Sequence, residues 1–384
     1  MGPSGLSMRR ELFRGEHEEF RELVKTFLAR EVLPHYARWE SDGLVDRDVW
    51  RVAGKHGLLG MDVDAVYGGG GESDYRYHVV ISEEFARAGV HAPSLSLHNE
   101  IVGPYLRTLT TPEQRGRWLP GFCSGELVTA IAITEPDAGS DLSRVRTTAR
   151  RSGGDFVLNG RKTFISHAEQ ADLLLVVART GSRDTEFSLL AVERGTPGLT
   201  VGKRIDKIGM RALDTCELAF DDVIVPAGNV LGTAGRAMAY LIRNLRQERL
   251  WIATSALASA ESVFEETVRY CRDREVSGGT LISHQHTRFV LAELATALAV
   301  ARTFTDRCVA EHADGRLGSE DAAMAKWWNT ELARRTVDRC LQLHGGYGFT
   351  RDFRVGREFV DTRVQTIYGG TTEVMKETIA QSLI

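Results

Sequence analysis

One acidic residue stands on a helix face that otherwise reads as apolar. Leu241, Leu245, Ile252, Ala256, Ser259 and Val263 recur at helical spacing, and Glu248 falls on the same stripe. A carboxylate on a buried face costs free energy unless it is paired or protonated. Burial also raises its pKa, and a carboxyl group that titrates near neutrality suits proton abstraction. A structural ion pair with Arg249, Arg246 or another cation in an interhelical bridge fits the same pattern, and the residues alone leave both readings open.

Four further segments offer contacts to a flat or anionic ligand. Ala132–Asp141 closes a strand with small and hydroxyl-bearing residues, so backbone N–H groups and the Thr134 and Ser140 hydroxyls can face a planar ring carrying carbonyls. Phe164 and Ser166 stand two apart on a strand and point the same way. In Gln342–Gly348, glycines after a long helix allow close backbone approach to a ligand, or simply cap the helix. Ile367–Glu373 is a turn leading into the last helix, whose free N–H groups can bind an anion or polarise a carbonyl. Other chemistries find no support. His284 and His286 do not share a helix face and have no third ligand nearby, so no metal is expected. No Gly-x-Ser-x-Gly elbow is present. Gly68–Gly71 lacks a following Lys-Ser/Thr and reads as a plain turn.

The elements that must position these groups fall into three zones. At about 150 residues per domain, 384 residues imply two or three domains. From Glu11 to Gly125 the pattern is helical: Phe20, Val24, Phe27 and Leu28 mark a helix expected to end at Pro34, and Thr111-Pro112-Glu113 starts another. From Leu127 to Leu231 the period changes to two. Val128–Ile133, Leu173–Ala178, Phe187–Val192 and Cys216–Val225 read as strands, and Asp155–Ser166 as a hairpin turning at Asn159-Gly160. Three long helical runs follow: Ala237–Arg274, His284–Glu311 and Ser319–His344. The expected fold is α+β and mostly α, with an N-terminal helical domain (1–126), a middle antiparallel β-barrel domain (127–231) and a C-terminal four-helix bundle (232–384).

Composition bounds the partners. Lys and Arg number 48 against 52 Asp and Glu, a net charge of −4, which gives no basic surplus for nucleic acid. No apolar run approaches the roughly 18 residues of a membrane span. Met1–Arg10 carry no apolar signal core, and Cys123, Cys216, Cys271, Cys308 and Cys340 are widely spaced without a Cys-x-x-Cys pair. Free thiols and a cytoplasmic location are the expectation.

Taken in chain order, these segments resemble the acyl-CoA dehydrogenase family from about Glu11 to the C-terminus. Ala132–Asp141 is similar to the family's flavin loop, and Asn159–Ser166 to its second flavin strand, with Phe164 where Trp is common. Lys207–Arg211 and Asp214-Thr215 match the stretch before the last long strand. Arg274 and Gln285 resemble residues that reach the FAD of a neighbouring subunit, and Gln342–Gly346 the segment at the FAD pyrophosphate. The resemblance assigns FAD contacts to Ile133, Thr134, Gly139, Ser140, Phe164, Ile165, Ser166, Arg274, Gln285, Gln342, Gly345, Gly346, Thr371 and Glu373. It assigns substrate contacts to Ser140, Arg249, Tyr368, Gly369 and Gly370.

Two departures matter. Medium- and short-chain members carry the catalytic Glu directly after the Tyr of the C-terminal turn, where this chain reads Tyr368-Gly369-Gly370-Thr371. Long-chain and isovaleryl-type members place the base on the long helix in a Glu-Arg pair, and Glu248-Arg249 stands there. The family's Arg-x-x-Phe-Gly reads Arg274-Glu275-Val276-Ser277-Gly278, which removes an aromatic contact to FAD across the subunit interface. The implied activity is α,β-dehydrogenation of an acyl-CoA or acyl carrier protein thioester to the trans-2-enoyl thioester. Glu248 removes the α proton, the β hydrogen passes as hydride to FAD, and the Gly369 N–H binds the thioester oxygen. Gly369→Glu with Glu248→Gly is expected to move the base and regain activity. A flavin-dependent oxidase or monooxygenase on the same fold, and a thioester- or FAD-binding protein without turnover, are the alternatives. The resemblance further implies an electron-transfer flavoprotein as acceptor and a homotetramer. Asn99 and Glu100 fall on a helix that can line the acyl pocket or face solvent.

Overall fold

The computed structural model describes residues 10–181 and 186–384; most of the N-terminal stretch read for a signal lies outside the described residues. Helices fill the first zone: α1 (Gly15–Phe27), α2 (Leu33–Asp42), α3 (Asp48–Lys55), α4 (Arg76–Ala88), α5 (Gly103–Leu109) and α6 (Pro112–Ser124). The expected stop at Pro34 does not occur. A π turn, Leu28–Val32, links α1 to α2, and the Leu33 N–H reaches the Leu28 carbonyl. Pro34 then falls in the first turn of α2, where a missing N–H costs little. The start of α6 is as the spacing indicated: the Gln114 N–H donates to the Thr111 hydroxyl (3.3 Å) and the Thr111 N–H to the Gln114 side chain (2.9 Å).

The middle zone is one sheet. Its strands are β1 (Thr129–Ala132), β2 (Thr148–Ser152), β3 (Asp155–Ser166), β4 (Leu173–Arg179), β5 (Phe187–Glu193), β6 (Leu199–Arg204), β7 (Thr215–Val225) and β8 (Val230–Leu231). They are ordered β6-β7-β3-β2-β4-β5-β8, with β1 beside β4. Most pairs are antiparallel, but β1 runs parallel to β4, and β2 meets β4 in a parallel pair at Thr148 and Arg179. Phe156, Leu158, Val176, Leu190, Leu218 and Val223 meet in one interior, so the sheet wraps around its own core. On β4 the alternate residues Leu173, Leu175 and Val177 pack outward against Tyr105, Trp118, Phe122 and Leu241, which fixes the sheet to the helices on either side of it in sequence.

The hairpin at Asn159-Gly160 is a correction. β3 continues through it, and the two-residue turn is Gly153-Gly154, between Ser152 and Asp155. At Asn159-Gly160 the register against β7 shifts instead. Asn159 Nδ2 donates to Asp222 Oδ1 (3.0 Å), and Asn159 Oδ1 accepts from the Asp222 N–H (2.9 Å). Gly160 is needed because a Cβ there would lie 2.5 Å from Thr147 Oγ1. The two-residue signal is real, but it serves an irregularity in the pairing of β3 with β7, not a hairpin.

The third zone holds α7 (Ala237–Asp273), α8 (Gln285–Ala313), α9 (Ser319–His344), α10 (Arg354–Asp361) and α11 (Thr372–Gln381). Val263, Phe264, Leu291, Leu294, Leu332 and Val337 form the core among α7, α8 and α9. Val79 of α4 packs with Leu250 and Ala253 of α7, so the two helical zones share a wall. Among the described residues no helix is long and apolar enough to cross a membrane.

Candidate active site

Glu248 lies on α7 where that helix passes between α5 and the last turn of the chain. Its residue is 8% exposed. The Tyr105 hydroxyl of α5 donates to its Oε1 at 3.4 Å. No ion pair reaches it among the described residues. Arg246 donates to the Leu317 carbonyl at 3.3 Å instead, and Arg249 is buried with its Nε unpartnered. Burial pushes the Glu248 carboxyl up to about 7, against smaller downward pulls from the Tyr105 hydrogen bond and the Arg249 charge. Burial likewise lowers the pKa of Arg249, which Glu248 partly offsets. The interhelical ion pair that the sequence left open is therefore not formed.

The turn Tyr368-Gly369-Gly370 packs against the same stripe of α7. The rings of Trp251 and Tyr368 meet edge to face at 6.3 Å. A Cβ on Gly369 would lie 2.3 Å from Ile252 Cδ1, one helical turn beyond Glu248. Both glycines are left-handed, with φ of 63° and 94°, which side chains with a Cβ rarely adopt. From the far side, Lys326 of α9 donates through Nζ to the Gly370 carbonyl at 2.5 Å. Thr371 caps α11 by accepting from the Val374 N–H. Glu373, in the first turn of α11, is exposed and has its pKa lowered by that turn's backbone N–H and by Thr371.

The loop after β1 is bound to β3 by a buried ion pair. Lys162 Nζ donates to Glu135 Oε1 and to the Ile133 carbonyl, both at 2.9 Å. Glu135 also accepts from the N–H groups of Arg146 and Thr147, and the Thr163 N–H donates to the Thr134 carbonyl at 3.0 Å. Ile133 and Thr134 are half-buried, whereas Gly139 and Ser140 are exposed at the loop tip. Phe164 sits at a second register shift of β3, with φ of 57° and 63% of its surface exposed; Ile165 is buried in the sheet core.

A cavity lies where the three zones meet. Ser166, Trp251, Ser255 and Tyr368 line it, with Phe85, Val90, Leu95, Leu97 and Ile101 as its apolar wall. Asn99 and Glu100 sit on the π turn Leu97–Val102 behind that wall and are buried. Asn99 bridges the Gly60 N–H and the Leu58 carbonyl. Glu100 accepts from Tyr75 (2.8 Å) and Ser82 (3.0 Å), and burial raises its pKa. A separate cavity of about 470 Å³ gathers Arg274, Gln342, Gly345 and Gly346 with Tyr270 and Tyr347. The Arg274 guanidinium lies over the Tyr347 ring at 5.7 Å. Gln285 begins α8 exposed and lies outside both linings. A larger groove of about 710 Å³ between Asp42 and β6 contains none of the candidate residues and is polar and open.

Three residues here were not singled out from the sequence, Tyr105, Lys326 and Gln365, which come from segments without a motif. Glu135 and Lys162 lie in segments that were, but their pairing joins the loop after β1 to β3 and was not foreseen. Gln365 lines the central cavity, is 1% exposed, and leaves both amide atoms unpartnered. The readable signal was a Lys at an apolar position, at 326 and at 162, since a buried ammonium needs a specific acceptor.

Helices thus flank a β domain. The buried Glu248 of α7 and the Gly369-Gly370 turn against that helix stand next to Trp251 and Tyr368, which line the central cavity, although neither Glu248 nor Gly369 is itself part of that lining. Residues 14–126, 130–223 and 235–384 match the N-terminal, middle and C-terminal domains of acyl-CoA dehydrogenase. The chain belongs to the acyl-CoA dehydrogenase family, whose members dehydrogenate acyl thioesters. It is 44% identical to the mitochondrial long-chain specific acyl-CoA dehydrogenase of Mus musculus, over 98% of this chain and 88% of that protein. The acyl-CoA dehydrogenase from Geobacillus kaustophilus superposes with a TM-score of 0.96 at 43% identity, covering 98% of this chain and all of the other (100%). A glutaryl-CoA dehydrogenase from Mycobacterium smegmatis, in complex with FADH2, superposes with a TM-score of 0.89 at 26% identity, covering 97% and 95% of the two chains.

Proposed function

We propose that this chain forms the trans-2-enoyl thioester from a long-chain acyl thioester, with FAD as cofactor and Glu248 as the base. The observation that carries the reading is the buried Glu248 carboxyl, which closes no ion pair among the described residues and lies one turn from the Gly369 contact on α7. The long-chain assignment draws on the mouse relative.

The chain has groups that fit FAD. The exposed Phe164 ring, two residues before Ser166 on β3, and the unpartnered amide of Gln365 in the same cavity as Ser166, suit a flat heterocycle. The Ile133–Ser140 loop, held by Glu135 and Lys162, would supply backbone donors. Arg274, which closes no ion pair among the described residues, would with Gln342, Gly345 and Gly346 take the pyrophosphate of a neighbouring subunit's FAD, and Gln285, outside that lining, would reach the same cofactor. Bound FAD supplies the hydride acceptor.

The protein's own part is proton transfer and charge placement. Glu248 accepts the α proton once it is ionised, and Tyr105 steadies the carboxylate. The Gly369 N–H donates to the thioester oxygen as negative charge develops there. Arg249 offsets charge beside the base, and Tyr368 and Gly370 shape the wall. Ser140 at the loop tip contacts the carrier arm, from coenzyme A or an acyl carrier protein. An electron-transfer flavoprotein as acceptor, a homotetramer and a cytoplasmic location complete the proposal; the five unbridged, buried thiols suit a reducing compartment.

Glu248→Gln tests it. The variant should bind FAD and thioester yet reduce its flavin at least about a thousandfold more slowly, because the acceptor of the α proton is gone. Near wild-type flavin reduction by a panel of long-chain thioesters would remove Glu248 from the mechanism.

A further inference from the structure

Lys326 is fully buried on α9, and its ammonium makes one hydrogen bond among the described residues, to the Gly370 carbonyl. Burying an ammonium without a carboxylate partner is costly, so such a group is kept for what it holds. Two acidic residues stand close enough to act on it, Glu331 and Glu373, but neither closes an ion pair. Glu331 takes the Thr372 hydroxyl at 2.9 Å and the Arg334 guanidinium at 3.1 Å. On the α7 side the neighbour is a like charge, Arg249. Lys326 is thus drawn to a backbone oxygen rather than to a counter-ion.

That oxygen belongs to the segment with the most backbone freedom in the site. Gly369 and Gly370 are consecutive left-handed glycines without a Cβ to restrict them. Past them the chain is anchored, with Thr371 capping α11 and Thr372 bonded to Glu331. Between the Tyr368 ring and those anchors, the Lys326 bond is, among the described residues, the side-chain hydrogen bond that pins the turn. It fixes the Gly370–Thr371 peptide and so limits the swing of the Tyr368–Gly369 peptide that carries the Gly369 N–H.

We infer that Lys326 is a positioning residue: by holding the Gly370 carbonyl it aims the Gly369 N–H at the thioester oxygen. This rests on the reading of Gly369 given above. A positive charge one residue from that donor also favours the negative charge that builds on the oxygen.

The test uses FAD-bound Lys326→Met, which keeps the length and apolar stem of the side chain. Two readouts avoid turnover. Hydrogen–deuterium exchange across 367–374 should speed up at least about tenfold, because the turn loses its tether. A bound 3-thiaacyl-CoA, deprotonated at its α carbon and read by its long-wavelength band with oxidised flavin, should yield about tenfold less carbanion at fixed pH. Its dissociation constant at low pH should change by less than about threefold, since contacts with the ground state remain. Unchanged exchange and unchanged carbanion yield would overturn the inference. If Lys326→Met does not accumulate with FAD, Lys326→Gln is measured in the same two ways, and a wild-type result in both overturns the inference equally. Failure of the base is separable: a Glu248→Gln enzyme that still deprotonates the probe would defeat Glu248, whereas tether loss in the Lys326 variants is read without it.

Discussion

At the scale of the residue, the central fact is a carboxyl group whose pKa burial lifts from 4.5 to about 7. The reaction needs its ionised form, so flavin reduction by substrate should rise with pH and level off above about 7, as rapid-mixing absorbance would show. Tyr105→Phe removes a bond that favours the ionised form, so the midpoint should move to higher pH, with a loss of about threefold at neutral pH. The effect on stability has the opposite sense. Between 4.5 and about 7 the folded chain keeps a proton that the unfolded chain has lost. Wild type should therefore lose stability relative to Glu248→Gln as pH rises through that window, by on the order of 3 kcal/mol in total, as urea titrations at several pH values would reveal. Glu248 was legible because one charge broke a helical stripe. Tyr105 was not, since its meeting with Glu248 is made by α5 crossing α7, 143 positions away in sequence.

At the scale of the element, type was more legible than geometry. The long helices of the bundle were readable because 3.6-residue periodicity persists over many turns, and Thr111-Pro112 announced α6 through local chemistry. Asn159-Gly160 misled because a glycine can answer either to a turn or to a close approach, and here Thr147 is what it must clear. Pro34 misled because a π turn upstream had already moved the hydrogen-bond ladder. Strands β2 and β6 escaped notice because Thr148–Ser152 and Leu199–Arg204 are short and largely exposed. The same distinction governs the second home for the base. From the sequence, Gly369→Glu with Glu248→Gly looked sufficient. In the fold, Ile252 Cδ1 stands 2.3 Å from where the new Cβ must go, and residue 369 is left-handed. The double variant should remain close to inactive on short and medium chains. Adding Ile252→Ala should raise its flavin reduction at least about tenfold by removing the clash. Equal activity with and without the third substitution would show that Ile252 turns aside freely.

At the scale of the whole molecule, what holds the two helical zones at a fixed distance across the cavity is a buried ionic network. Glu83 of α4 receives Arg10 (2.8 Å), Arg21 (3.2 Å) and Arg302 of α8 (2.8 Å). Arg302 continues to Glu261 of α7 at 2.6 Å, and Arg10 to Asp306 at 2.7 Å. Burial alone would raise the pKa of Glu83; Arg10, Arg302 and Arg21 instead hold it well below the usual carboxylate range. Removing that one charge leaves Arg302 to Glu261, Arg10 to Asp306 and Arg21 to Glu84, but takes away the fully buried carboxylate that all three share, so Glu83→Gln should cost about 3–5 kcal/mol at neutral pH, measured by urea unfolding. Disrupting the exposed Arg38–Asp46 pair, which water screens, should shift the urea midpoint far less. The pH dependence separates an electrostatic clamp from simple packing. Glu83 has a depressed folded pKa, so its contribution is complete above the unfolded carboxylate value of 4.5 and fades as pH falls below it. The gap between wild type and Glu83→Gln should thus be constant from neutral pH down to about 5 and then narrow by about 1.4 kcal/mol per pH unit. A gap that stayed flat to pH 3 would mean that Glu83 matters for its shape and not its charge, and that the walls of the active site are held together by apolar packing such as that of Val79 on Leu250.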